Sequence, residues 1–461
     1  MSDFLFDEFP SVSSKQWKQK IQFDLKGADY NGTLLTHTND GITIKPFYHK
    51  DEIESLEIPN TPTSFSICQT IFVSTEKTAN YLALDALKRG AYSIQFLADA
   101  PFEIGPLLVN IPKSTEIHFQ LNFLSESFIT DLASHLKSFN SYLNIDIIGQ
   151  LAKEGNWFSN LNQDFEILAN ILKAANNTNV LQVNTCQYQN AGATVVQQVA
   201  YALAHGNEYL NFVNNNTSLR VSDEGGCIEK SINFNFAIGS NYFFEIAKLR
   251  AFRYLWKLIS DEYNITFDAN IFTQPTNRNK TLYDYNTNML RTSTECMSAI
   301  LGGTNTISNN SYDYLFHKKN EFGERIARNQ LLIFKEESAF DNIAEFSKDS
   351  YYIETLTKEI AQKALDIFKD IEKGGGFLKQ LKEGTIQRKI KESAGKEQEQ
   401  FDAKEIILLG TNKHPNMDDK MKDNIELFPF VKTKPRKTLI QPIIAKRLSE
   451  KIEQERLKNE A

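Results

Sequence analysis

The residues best able to do chemistry in this 461-residue chain are its seven histidines, His37, His49, His118, His135, His205, His317 and His414. Metal ligation needs imidazoles at short regular spacing or beside cysteines, and acid–base work needs a partner that fixes the tautomer. None of the seven has metal spacing or a cysteine or serine motif beside it. His205, just before Gly206, reads as a structural residue at a helix end, where the dipole favours a cation. Gly302-Gly303 and Gly374 to Gly376 lack the Lys-Ser/Thr that follows the glycines of a phosphate loop, so both read as helix stops. Arg291 and Arg325 could bind phosphate, or equally could be helix-end or interface residues. These patterns assign no catalytic, cofactor-binding or metal-binding residue.

Such groups need a scaffold, and the composition bounds it. Hydrophobic residues make up 41% and charged residues 24%, ordinary for a chain with a sizeable core. The net charge of −7 gives no electrostatic argument for nucleic acid or an anionic membrane as partner. Cys68, Cys186, Cys227 and Cys296 are far apart and read as buried thiols of a reducing compartment. The first residues, MSDFLFDEFPSVSSKQW, lack the basic and apolar regions of a secretory signal. No apolar run reaches the ~20 residues of a membrane span. A cytoplasmic protein is the expectation.

From Ser64 onward, short β-branched and aromatic runs alternate with helical patterns. Strands are expected at 65–72, 91–97, 116–121, 142–149, 180–184, 231–239, 265–272 and 304–308, with helices at 78–90, 126–139, 195–206 and 241–260 between them. Eight such units in succession predict a parallel (β/α)8 barrel, with an open doubly wound sheet as the alternative. Residues 1–60 form an N-terminal extension, 61–376 the barrel, and 377–461 a closing C-terminal segment. That segment contains a strand at 405–412 and a charged helix over 435–461.

Three stretches carry a family resemblance: TLYDYNTNMLRTSTECMSAILGGTNTISNNSYD (281–313), RIARNQLLIFKEES (325–338) and DSYYIE (349–354). They resemble the later barrel strands of the methylmalonyl-CoA mutase family. The N-terminal Phe9-Pro10, Trp17, Leu25-Lys26-Gly27 and Pro46-Phe47-Tyr48 are similar to the family's partner-wrapping extension. The resemblance implies a TIM barrel and, for the family, adenosylcobalamin-dependent isomerisation of methylmalonyl-CoA to succinyl-CoA. It also marks departures. Family members with activity carry a pattern like GHTQSLHTN, where this chain has Gly303 and Ser308. They carry a Tyr after the first strand, where Ser74, Thr75 and Glu76 read as a capping region. They carry a thioester-side His, replaced here by Gln189 or Gln187 according to the alignment frame. Before DSYYIE, an Asp-Pro-Trp-like turn is replaced by Glu345, Phe346 and Ser347.

The family's cobalamin domain offers a histidine from an Asp-x-His-x-x-Gly motif, and no Asp-x-His occurs here. The expectation is a small, non-catalytic subunit without a flavodoxin-like cobalamin domain. It would bind no cofactor alone and would pair with a large subunit that holds adenosylcobalamin. The Phe4, Phe6, Phe9 and Trp17 side chains would anchor that pairing. Two alternatives stand: a catalytic subunit using a separately encoded cobalamin domain, and a homo-oligomeric acyl-CoA-binding protein. A further expectation is a partly plugged barrel, with at least some of the side chains of Phe65, Ile67, Phe96, His118, Phe119, Phe234 and Phe236 entering the lumen.

Overall fold

The computed structural model describes residues 9–53, 55–175, 178–216, 219, 231–263, 267–340, 346–432 and 435–460. Phe4, Phe6, Cys227 and Glu345 lie outside the described residues. Eight strands form the barrel: β1 (Ser66–Phe72), β2 (Ser93–Ala98), β3 (Glu116–Leu121), β4 (Ser141–Ile145), β5 (Asn179–Asn184), β6 (Ile232–Ile238), β7 (Ala269–Pro275) and β8 (Thr306–Ser308). Each runs parallel to its neighbours, and β8 closes on β1 through Thr306–Ser66, Ile307–Ile67 and Ser308–Cys68. Parallel neighbours require crossovers, and these are helical, as in Glu76–Lys88, Glu126–His135, Val195–Asn215, Tyr242–Asp261 and Thr287–Leu301. The expected closed barrel therefore forms.

Local chemistry sets most boundaries. The Thr75 side chain accepts from Thr78 N and starts the helix after β1, as the sequence suggested. Gly90 ends that helix at φ +94°, where a side chain would be strained. The expected stop at Gly206 does not occur, and the helix continues to Asn215. Gly206 is there for space: a Cβ would stand 2.6 Å from the Trp256 ring. The expected strand 142–149 ends at Ile145, because the Asp146 carboxylate accepts from Gly149 N at 2.7 Å and caps the helix Ile147–Glu154.

The C-terminal segment differs more from its sequence pattern. Residues 405–412 form no strand beyond a single bridge between Leu409 and Lys413. The terminal helix covers only Glu450–Asn459. The chain before it is an extended strap whose amides at Leu439, Ile443, Lys446 and Leu448 donate to the carbonyls of Gly155, Ala152, Asn190 and Arg278. The strap thus ties together the segments that follow β4, β5 and β7.

Both faces of a parallel barrel are buried, so rings can pack outside as well as inside. Phe96 packs on Phe119 at 5.5 Å, and Phe119 stacks on Phe102 at 6.0 Å. Phe234 and Phe236 meet Phe252 of the helix Tyr242–Asp261 at 4.6 and 4.9 Å. Phe65 lies against Lys335, and Ile67 shares its face of β1. These side chains form the layer between strands and helices, and do not enter the lumen as expected. Among that set, only His118 does so.

Candidate functional site

Side chains that bond across non-adjacent strands identify the lumen. Thr306 Oγ1 of β8 donates to Glu116 Oε1 of β3 at 2.7 Å, and His118 Nε2 lies 2.8 Å from the same oxygen. The His118 ring stacks on Tyr142 of β4 at 4.5 Å and meets Phe272 of β7 edge-on at 5.1 Å. Asn270 Nδ2 donates to Asn233 Oδ1, and Asn233 Nδ2 to Asn144 Oδ1, at 2.9 and 2.7 Å. Together these groups span the barrel and form a floor. Burial raises the Glu116 pKa, but the His118 and Thr306 contacts outweigh it and hold the carboxyl below its usual range.

Above the floor, at the carboxyl ends of the strands, lies a cavity of about 310 Å³. This is the face where barrels of this kind carry their sites. Carboxamides project there from five strands: Gln95, Gln120, Asn184, Asn235 and Gln274. Lys153 and Lys319 stand at its rim, and Glu324 reaches it from the helix Glu321–Leu332. Burial pushes the Glu324 carboxyl up, against the opposing charges of Lys319 and Arg328. Among the described residues no group of three or more His, Cys, Asp or Glu side chains is placed to hold a metal.

The positions singled out in the sequence now fall into place. Gln187 and Gln189 both lie on the turn Cys186–Asn190 after β5, but they face different ways. Gln187 borders a small cavity of about 50 Å³ that adjoins the mouth, with its amide 3.4 Å from Gly149 O. Gln189 instead sits beside the buried Lys248–Glu245 ion pair. Gln187 is therefore the one of the two that faces the barrel. Ser308 points inward and bonds Thr70 Oγ1 at 2.9 Å. Gly303 is at the other end of β8, with φ +86° and its carbonyl accepting from Arg253 at 2.8 Å.

Other candidates have structural occupations. His205 is fully buried, with Nε2 3.0 Å from Asp146 Oδ1 and Nδ1 3.0 Å from the Tyr188 hydroxyl. Arg291 donates to Thr281, Asn288 and the Leu409 carbonyl, and Arg325 lies over the Phe322 ring. Cys68, Cys186 and Cys296 are buried and unpaired, and burial pushes the Cys186 thiol up to about 12. A larger groove of about 510 Å³ lies beside Gln189, between the Asp40 turn and Ile406 to Leu409. Sequence reasoning missed the carboxamide ring and the His118–Tyr142–Phe272 floor. A signal existed, since Asn233 and Asn235 alternate with Phe234 and Phe236 in β6.

The fold and this face define a (β/α)8 barrel with a polar mouth and a bridged lumen. Residues 128–459 match the family model described as methylmalonyl-CoA mutase. A methylmalonyl-CoA mutase small subunit from Porphyromonas gingivalis is 33% identical across 92% of this chain and 73% of its own length. A methylmalonyl-CoA mutase from Rhizobium meliloti is 36% identical across 51% of this chain. The mitochondrial enzyme of Homo sapiens is 26% identical across 89%. The chain spans 33% and 60% of the lengths of those last two relatives. The chain belongs to the methylmalonyl-CoA mutase family.

Proposed function

We propose that this chain is the non-catalytic small subunit of a heterodimeric methylmalonyl-CoA mutase. Its large subunit would carry adenosylcobalamin and interconvert methylmalonyl-CoA and succinyl-CoA. The observation that carries this reading is the chemistry of the mouth. Glutamine stands where the family resemblance implies a thioester-side histidine, and a carboxamide cannot act as a general acid at neutral pH. Ser308, in place of the later-loop histidine, is held by Thr70. Below them the Glu116–Thr306 bond and the His118 stack cross the lumen that a pantetheine arm would follow.

The residues present do not fit cobalt ligation. His118 and His205 are fully buried against Glu116 and Asp146. His317 lies 3.0 Å from Asp313 Oδ2 and 3.1 Å from Asn424 Oδ1. His37 lies on the N-terminal hairpin, bonded to Thr43, and His49 starts a short turn beside Asp51. His135 and His414 are exposed.

The N-terminal extension supports the pairing. Phe9, ahead of the helix Ser14–Asp24, and Trp17 and Phe23 on it are exposed by 64, 45 and 79%. Obligate pairs bury on the order of 2,000–5,000 Å² with an apolar centre. Co-expression with a candidate large subunit, followed by size-exclusion chromatography, tests the reading. A one-to-one complex is expected, with turnover lost when the large subunit's cobalt-ligating histidine is replaced. A single chain that elutes with a corrin absorption band and converts methylmalonyl-CoA unaided would overturn it.

A further inference from the structure

The mouth of the barrel is built for a ligand in its own right, independently of the subunit reading. The described Gln120 side chain borders both the mouth and the adjoining small cavity, with no hydrogen-bond partner among the described residues. Gln182 borders the small cavity and is 1% exposed, yet neither its Oε1 nor its Nε2 has a partner. Asn144 Nδ2 and Asn309 Oδ1 are likewise buried and unpartnered, one at each cavity. Buried amides left without partners lose about 1–3 kcal/mol each, so their presence at these adjoining cavities points to something that bonds them.

The charge of the mouth says what that is. Lys319 Nζ donates to the Thr70 carbonyl, and its charge faces the Glu324 carboxyl, leaving Lys153 as a second cation at the mouth. The carboxylate nearest Lys153 is its chain neighbour Glu154, at 3.9 Å and exposed. Glu324 is the acid at the larger cavity, where its hydrogen bond goes to Gln69, and Asp146 borders the smaller one, bonded to the amides of Gly149 and Asn184. Cationic rim groups above a ring of carboxamides match an anion that also carries groups able to both donate and accept. The floor of His118, Tyr142 and Glu116 requires that ligand to be short enough to lie wholly in the mouth.

We propose that the carboxyl-end mouth of this barrel binds a small free hydroxycarboxylate, its carboxylate drawn by Lys153 and Lys319 and its hydroxyl held by Gln120 and Gln182. No bond is made or broken.

Isothermal titration of the full chain with L-malate at pH 7 tests this, with erythritol as the uncharged control. One-to-one binding with a Kd of about 1 mM or tighter is expected for malate, weakening as salt is raised, and none for erythritol. Lys319→Met and Gln120→Leu are each expected to weaken binding about tenfold while the melting temperature stays within a few degrees. If a variant fails to fold, hydrogen exchange on the unaltered chain replaces it, with malate expected to slow exchange at 309–320. Absence of malate binding up to about 50 mM, equal binding of erythritol, or binding that neither variant nor the 309–320 segment registers would each overturn the site.

Discussion

At the residue scale, Glu116 shows how the lumen is held and how to test it. Its pKa is held low in the folded chain, so its contribution is present above the ordinary carboxylate range and is lost as pH falls through the lowered value. Glu116→Gln is expected to flatten the acid limb of stability, measured by urea denaturation between about pH 5 and 3. At neutral pH it should cost about 1–3 kcal/mol, since His118 and Thr306 lose a charged acceptor. Gly206→Ala is expected to destabilise by a similar 1–3 kcal/mol, roughly the penalty of overpacking, because its methyl would meet Trp256 and Phe234. Thermal melting checks it. Gly206 also shows where the sequence misled: the glycine was visible, but a stop and a close contact look alike until the facing ring is placed. Strand alternation was legible in the same partial way. The period of two was correct in β3 and β6, but the phase expected for β6 was not, and β3 was left open between His118 and Phe119. Phe119 and Phe234 are drawn outward by helices, while His118, Asn233 and Asn235 are left to bond one another inside.

At the element scale, eight strands and their crossovers were legible because short β-branched and aromatic runs alternate with helix-period runs. Elements that depend on distant partners were not. The strap before Glu450 has an apolar, charged pattern that suits a helix, yet its amides are taken by carbonyls at Ala152, Gly155, Asn190 and Arg278. Residues 405–412 look like a strand but lack a sheet edge to join. The clamp between the helices Tyr242–Asp261 and Tyr351–Lys373 is likewise invisible in sequence. There Arg250 Nη2 donates to Glu354 Oε1 at 2.6 Å, and Glu354 also accepts from the Asp349 amide. Arg250→Leu is expected to cost about 3–5 kcal/mol by leaving a buried carboxylate unpaired. Adding Glu354→Gln should recover a good part of that loss, and a double-mutant cycle in denaturant measures it.

At the scale of the whole molecule, the exposed N-terminal aromatics separate stability from assembly. Phe23→Ser should change the stability of the chain by less than about 0.5 kcal/mol, since the ring is exposed. It should weaken the heterodimer by about tenfold or more if the ring is an interface anchor, read by titrating the large subunit. An unchanged affinity would remove Phe23 from the proposed interface. The barrel's closure has a consequence of another kind. Its seam joins Ser66 to Thr306, residues from opposite ends of the barrel sequence, through three paired positions, against seven between β6 and β7. Bringing such distant segments together costs loop entropy before any contact rewards it. The parallel β6–β7 pair, joined by one helical crossover and so close in sequence, should therefore form early and the seam last. Arg253 acts where that late step finishes, donating to the carbonyls of Asn60 and Gly303 on either side of the join. A chain interrupted before the seam closes would be an open sheet with two bare edges. The time spent in that state, rather than the depth of the final energy well, sets how readily this protein is lost to aggregation as it folds.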